Sequence, residues 1–147
     1  MNNGIKLVPV DRSHQPLISR WFVDDLAGQK ELNSYMNLES WMKLLDSANR
    51  WGWIAYEGDE AVGFLDLEKS LDGKGNFSFY VEPNHRGQHK SGQVLAALTN
   101  QARKLGIEQL EAGVEELNIA SQKALRSANF IENGRDKDNY IVFQLIL

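Results

Sequence analysis

Cysteine is absent from the 147-residue chain, which excludes disulfides, thiol nucleophiles and cysteine-ligated metals together. A core must therefore hold the fold, and a chain of this length buries roughly 68–70% of its unfolded surface without a covalent or metal staple. Long apolar runs are missing too. Nothing approaches the ~18–20 residues of a membrane span, and Met1-Asn2-Asn3-Gly4-Ile5-Lys6 lacks the apolar core of a signal peptide. The lack of cysteine suits a cytoplasmic location. Basic surplus is also lacking: 16 Lys and Arg face 20 Asp and Glu, for a net charge of −4. Without a basic face, nucleic acid is not an expected partner. No repeat, low-complexity tract or linker interrupts the chain. The expectation is one domain over residues 1–147, with no metal and no membrane partner.

What is present alternates between strand and helix signals. Ile5 to Val10 reads as a first strand. Asp11 or Ser13 caps a helix that takes Pro16 in its first turn, with Leu17, Ile18, Trp21, Phe22 and Leu26 on its apolar face and Gly28 at its end. A second helix begins near Asn37 and buries Leu38, Trp41, Met42, Leu45 and Ala48. Trp51–Tyr56 and Glu60–Glu68 are strands joined at Glu57-Gly58-Asp59, a hairpin signal. Strand alternation sets Phe64, Asp66 and Glu68 on one face and Leu65 and Leu67 on the other.

The most informative stretch runs from Phe77 to Leu98. Aromatic and β-branched residues from Phe77 to Val81 form a strand that Pro83 stops. Val94, Leu95, Leu98, Ala102 and Leu105 then share one helical face, with Gly106 just beyond. Between them lie Arg86, Gly87, Gln88, His89, Lys90, Ser91 and Gly92. Unpaired amides and the partial positive charge at a helix start suit a phosphate, and Arg86, Lys90 and protonated His89 add to that attraction. Further on, Leu110, Ala112 and Val114 form one face of a strand, with Glu111, Gly113 and Glu115 on the other. Asn118 caps a short helix carrying Ala120, Ala124, Leu125 and Ala128. Phe130-Ile131, a polar turn from Glu132 to Asp138, and Tyr140 to Leu147 close the chain as a hairpin. Tyr140–Leu147 is apolar enough to serve as an exposed edge open to a second subunit, a route to a homodimer.

Taken together, Val81-Glu82-Pro83, Arg86-Gly87-Gln88, Lys104-Leu105-Gly106-Ile107 and the segment from Asn118 through Ser121 to Phe130 resemble the GNAT superfamily of acyl-CoA-dependent N-acetyltransferases. The resemblance is strongest between Phe77 and Phe130. It implies an α+β sandwich: one mixed, twisted sheet of six to seven strands, splayed between residues 77–82 and 109–115, with helices on both faces. It implies acetyl-CoA as cofactor. Backbone groups of Tyr80 and Val81 would hold the pantetheine arm, residues Arg86, Gly87, Gln88, His89, Lys90, Ser91 and Gly92 the pyrophosphate, and Asn118 and Ser121 would touch the cofactor as well. The chain departs from the family pattern at five positions. His89 and Ser91 replace loop glycines, Leu125 replaces the tyrosine that often protonates the leaving thiolate, Asn129 replaces a glycine, and Gly113 stands where some members carry a glutamate.

The reaction implied is transfer of an acetyl group to a primary amine of a small molecule or peptide by direct attack, aided by positioning and carbonyl polarisation. The amine must lose a proton, and Glu115, Glu111 and Tyr80 are the catalytic candidates, with Asp66 behind them. The loop between the first two helices, with Trp21, Asp24, Asp25, Glu31 and Tyr35, is the acceptor-binding candidate. Carboxylates beside aromatics favour a cationic amine. A second reading is a GNAT-like domain that has lost catalysis and binds acyl-CoA or a protein partner as a sensor.

Overall fold

In the computed structural model of the protein the described residues are 4–23, 25, 26, 29, 32–85 and 90–147. Seven strands form one sheet. They are β1 (Lys6–Pro9), β2 (Arg50–Glu57), β3 (Glu60–Lys69), β4 (Lys74–Val81), β5 (Gln109–Val114), β6 (Ile131–Arg135) and β7 (Ile141–Ile146). Their order across the sheet is β1-β2-β3-β4-β5-β7-β6. Among the described residues only β4 and β5 run parallel; every other neighbouring pair is antiparallel.

The helices are α1 (Gln15–Phe22), α2 (Asn33–Met36), α3 (Leu38–Leu45), α4 (Lys90–Lys104) and α5 (Ile119–Ser127). Among the described residues no helix is long and apolar enough to cross a membrane. The α+β sandwich and mixed sheet expected from the sequence are what the chain forms, with helices on both faces. On one face α4 and α5 press Val94, Leu95, Leu98, Ala102 and Leu125 onto Leu65, Leu67, Phe77, Leu110, Ala112 and Phe143. On the other, α1 to α3 bring Ile18, Trp21, Phe22, Tyr35, Leu38 and Trp41 onto Ile54, Phe64 and Tyr80.

Local chemistry explains most boundaries. Asp11 caps a short 3-10 turn, accepting from the Ser13 amide while His14 accepts from the Asp11 amide, and Pro16 sits in the first turn of α1. Asn37 and Asn118 cap α3 and α5 through their side-chain oxygens. Gly106, at φ +77°, ends α4 in the left-handed conformation that glycine adopts without strain. Asn129 takes the same role after α5 at φ 72°.

Four expectations need correction. Helix α1 ends at Phe22, and Leu26 is 76% exposed rather than part of an apolar face. Helix α2 has no counterpart among the sequence expectations; four residues carry too short a pattern for periodicity to register. The C-terminal strand is not an edge. β7 lies between β5 and β6, and β6 is the outermost strand, exposed along its whole length. Residues 132–135, expected in a turn, extend β6 because the backbone there pairs with β7 across a register shift between Glu132 and Arg135.

Candidate active site

Strands β4 and β5 pair only where Lys74, Gly75 and Asn76 face Gln109, Leu110 and Glu111. Beyond those residues the two strands part, because β4 stays hydrogen-bonded to β3 as far as Val81 while β5 follows β7 to Ile141. The opening is a cleft of about 160 Å³ lined by Leu32, Phe77, Ser78, Phe79, Ala112, Gly113, Val114, Glu115, Asn118, Ser121 and Tyr140. One strand gap thus meets three loops: the approach to α2, the β5–α5 turn and the β6–β7 turn.

Each wall has a cause. Gly63 on β3 allows the far end of β4 to come close, since a Cβ there would lie 1.9 Å from the Tyr80 carbonyl oxygen. Asn118 accepts from the Ser121 amide at 3.1 Å, and buried Gln122 donates to the carbonyls of Glu115 and Glu116 at 3.2 and 2.9 Å. Those bonds fix the turn at the cleft's lower rim. The β6–β7 turn is organised by Asp136, whose Oδ1 accepts from the amides of Asp138 and Tyr140 at 2.9 and 3.0 Å. Its Oδ2 lies 3.3 Å from where a Cβ on Gly113 would stand, and the Tyr140 Cβ is equally near. A hairpin carboxylate and a phenol therefore crowd the space above Gly113.

Beneath the cleft lies a buried polar cluster centred on Asp66, 3% exposed. Its carboxylate accepts from Trp41 Nε1 at 2.9 Å, from Arg50 Nε at 3.1 Å and Arg50 Nη2 at 2.9 Å, and stands 3.3 Å from the Tyr35 hydroxyl. The same hydroxyl lies 3.2 Å from Ser78 Oγ, at the cleft wall. Burial pushes the Tyr35 phenol above its usual value near 10, and the neighbouring Asp66 charge adds to that. For Arg50, burial pulls the other way, but the bonds to Asp66 outweigh it and hold the guanidinium above its ordinary value.

The sequence-predicted residues fall into distinct groups. Glu115, Asn118 and Ser121 meet at the cleft. Glu111 lies one turn of the pleat away, on the same strand face, and accepts from Gln144 Nε2 at 3.2 Å. Tyr80 does not bring its hydroxyl there: the side chain is buried on the α1 face, within 3.1 Å of the Trp21 carbonyl and 3.0 Å of Asp25 Oδ2. Trp21 and Asp25 border a separate cavity of about 680 Å³, walled also by Arg20, Tyr56, Glu60, Glu82 and His85. Tyr35 belongs to the polar cluster below Ser78 rather than to an open loop. Lys90 Nζ lies 2.5 Å from the Glu57 carboxylate, so its charge is already paired. Ser91 is half-buried and Gly92 faces open space, with nothing within 4 Å of a Cβ placed on it. Asp24, Glu31, Arg86, Gly87, Gln88 and His89 lie outside the described residues.

Sequence reasoning missed Ser78, Asp136 and Tyr140. Ser78 sits within an apolar strand, where alternation gave the available signal: it shares a face with Tyr80, on the side of Asp66. Asp136 and Tyr140 come from a turn whose position over β5 is a matter of tertiary folding.

A sheet opened between its two parallel strands, with a mixed apolar and polar gap, defines an acyltransferase-type architecture. The cleft suits an extended pantetheine arm in its lining: Phe77, Phe79, Ala112 and Val114 for methylenes, Asn118 and Ser121 for amides. The model of the acetyltransferase (GNAT) family matches residues 16–130, and the chain belongs to that family. Among solved structures, an acetyl transferase from Salmonella typhimurium that modifies the N-terminal serine of a 50S ribosomal subunit protein is similar at TM-score 0.83 and 20% identity, over 99% of this chain and 96% of that one. An acetyltransferase from Thermus thermophilus aligns at TM-score 0.82 and 17% identity over the full length of both chains. RimL, an alpha-N-protein acetyltransferase in complex with coenzyme A, aligns at TM-score 0.81 and 16% identity over 99% of this chain and 96% of that one. No curated protein sequence matches the chain. As a member of this family the protein is an acetyl-CoA-dependent N-acetyltransferase.

Proposed function

We propose that the protein transfers an acetyl group from acetyl-CoA to the primary amine of a cationic small molecule or of a peptide. The observation that carries this reading is the cleft at the parting of β4 and β5, bordered by Glu115 and overhung by Asp136. Carboxylates at the mouth attract an ammonium group, and one of them must then take its proton before the nitrogen lone pair is available. Glu115 is the leading candidate, because it lines the cleft itself. Glu111 follows, since Gln144 already engages it. Tyr80 is the weakest of the three, its phenol being buried and bonded at the end of α1.

Acetyl-CoA supplies an activated acyl thioester. In this reading Tyr80 and Val81 hold the pantetheine arm through their backbone, with Asn118 and Ser121 across the gap. Arg86, Gly87, Gln88, His89, Ser91 and Gly92 cradle the pyrophosphate, while the Glu57 carboxylate offsets what Lys90 offers. Tyr35 reaches the acceptor only through Ser78. Trp21 and Asp25 attract the amine from the neighbouring cavity, together with Asp24 and Glu31.

The test is calorimetric titration with coenzyme A, followed by CoA release from acetyl-CoA against spermidine, a serine-initiated peptide and an aminoglycoside. Turnover of at least one amine is expected, with loss in Glu115→Gln. Binding of coenzyme A with no turnover on any amine would favour the sensor reading instead.

A further inference from the structure

We infer that Ser78 is the group that receives the acceptor amine, and that Tyr35 and Asp66 lock its hydroxyl so that only lone pairs face the cleft; this deepens the N-acetyltransferase reading and rests on it. Hydrogen-bond polarity within the cluster dictates this arrangement. A carboxylate only accepts, and Asp66 offers about four lone-pair sites. Trp41 Nε1 and Arg50 Nε donate to Oδ1, and Arg50 Nη2 donates to Oδ2. The remaining neighbour is the Tyr35 hydroxyl, 3.3 Å from Oδ2. Tyr35 is 8% exposed and Asp66 3% exposed, so both are shielded from bulk solvent.

A phenol has one proton. If Tyr35 turned it toward Ser78, two oxygen lone pairs would face each other at 3.3 Å inside the core, a costly arrangement in a low dielectric. Tyr35 therefore donates to Asp66. Its oxygen must then accept from Ser78, 3.2 Å away, which uses the only proton Ser78 has. What Ser78 shows the cleft is an acceptor and nothing else. Such a group binds an N–H and rejects a carbonyl, and it holds an amine by its hydrogen so that the nitrogen lone pair points elsewhere. Asp66 is not the final base here, because its carboxylate is enclosed in the core and its oxygens already face Trp41, Arg50 and Tyr35 rather than the cleft. Tyr35 and Asp66 are positioning residues, and Ser78 is the residue in contact.

Two measurements decide it. Neutron diffraction from crystals of the wild-type protein should place the Tyr35 proton toward Asp66 and the Ser78 proton toward Tyr35; the reverse placement overturns the inference whether or not an acceptor is known. Steady-state kinetics on whichever of spermidine, a serine-initiated peptide or an aminoglycoside turns over should show Ser78→Ala raising the acceptor KM about tenfold, the size of one lost hydrogen bond to a charged donor, with a smaller effect on kcat. Tyr35→Phe should raise KM less, and the double variant should match Ser78→Ala alone, because Tyr35 acts through Ser78. Losses that simply add, or an unchanged KM in Ser78→Ala, would overturn it. Coenzyme A affinity, measured by calorimetry, should be unchanged in all three variants. If coenzyme A fails to bind the wild type, it is the acetyltransferase reading that falls, while the neutron result still judges the polarity.

Discussion

Under α4 and α5 the sheet is sealed with Val94, Leu95, Leu98, Ala102 and Leu125, each no more than 1% exposed, set mainly against aliphatic residues, with Trp53 and a few phenylalanines among them. Across the sheet the filling is aromatic. Phe64 is ringed by Trp41 at 5.1 Å, Tyr80 at 5.4 Å and Tyr35 at 5.5 Å between centroids, and beside them lies the buried carboxylate of Asp66. The first face is a core in the ordinary sense, whose stability scales with apolar area. The second combines rings with polar tips, and each tip is aimed: Trp41 and Tyr35 toward Asp66, Tyr80 toward the end of α1. Apolar burial would have been secured equally well without these groups, and a buried ion pair is weak evidence for stability. Its placement directly beneath the cleft is what gives the second face a functional reading.

The largest effect should come from unpairing the charge on that second face. Arg50→Met removes both guanidinium bonds from Asp66 and leaves a buried carboxylate uncompensated, which should cost about 3–5 kcal/mol. Chemical denaturation measures it, and a loss below that of an average surface substitution would show that water reaches Asp66. On the first face Leu98→Ala leaves a cavity and should cost about 2–5 kcal/mol, with the usual value near the middle. The comparison sharpens if activity is assayed well below the melting temperature: Leu98→Ala should keep its acceptor KM, whereas disturbing the Asp66 cluster should not. Equal kinetic damage from both would erase the distinction between the faces.

A smaller loss is expected where the two faces meet at the cleft rim. Asn118 caps α5 by accepting from the Ser121 amide at 3.1 Å. Asn118→Ala should therefore cost about 1 kcal/mol in thermal or chemical unfolding. Under the proposed reading it also weakens coenzyme A binding, which calorimetry reports separately. Loss of stability with unchanged affinity would leave Asn118 a cap alone.

How much of this is legible in the sequence divides along the same line. The aliphatic face is legible: Val94, Leu95, Leu98 and Ala102 recur at helical spacing, and Leu65 and Leu67 alternate with polar neighbours. The splay comes from the resemblance around Val81-Glu82-Pro83 and Asn118, while the order of strands across the sheet is not read from the sequence, since pairing between distant strands leaves no local trace. The aromatic face is half legible. Trp21 and Trp41 point to packing, yet nothing local says that Asp66 is enclosed, because strand alternation gives a face and not a depth. The same limit hides Ser78 and Asp136, whose roles depend on which loops fold over them. The C-terminal strand misleads because β-propensity marks a strand without saying whether a neighbour, here β6, will cover it.

The subtlest difference between the faces is one of pH. Among the described residues the aliphatic face buries no titrating group, while Tyr35 is a buried acid whose neutral form the fold favours. A phenol raised above its unfolded value near 10 contributes stability that is fully present below pH 10 and drains away as pH climbs through the folded value, because the unfolded chain releases the proton first. Arg50, held above its ordinary value by Asp66, keeps its charge and leaves that window alone. Tyr35→Phe removes one hydrogen-bonding group and should cost about 1 kcal/mol at neutral pH. Above pH 10 the gap between wild type and Tyr35→Phe should narrow, since only the wild type carries this proton. Urea denaturation at pH 8, 10 and 11 gives the gap directly, and a constant gap across those points would mean that the phenol is not held neutral by its surroundings. Leu98→Ala, run alongside, should stay a fixed distance below the wild type throughout.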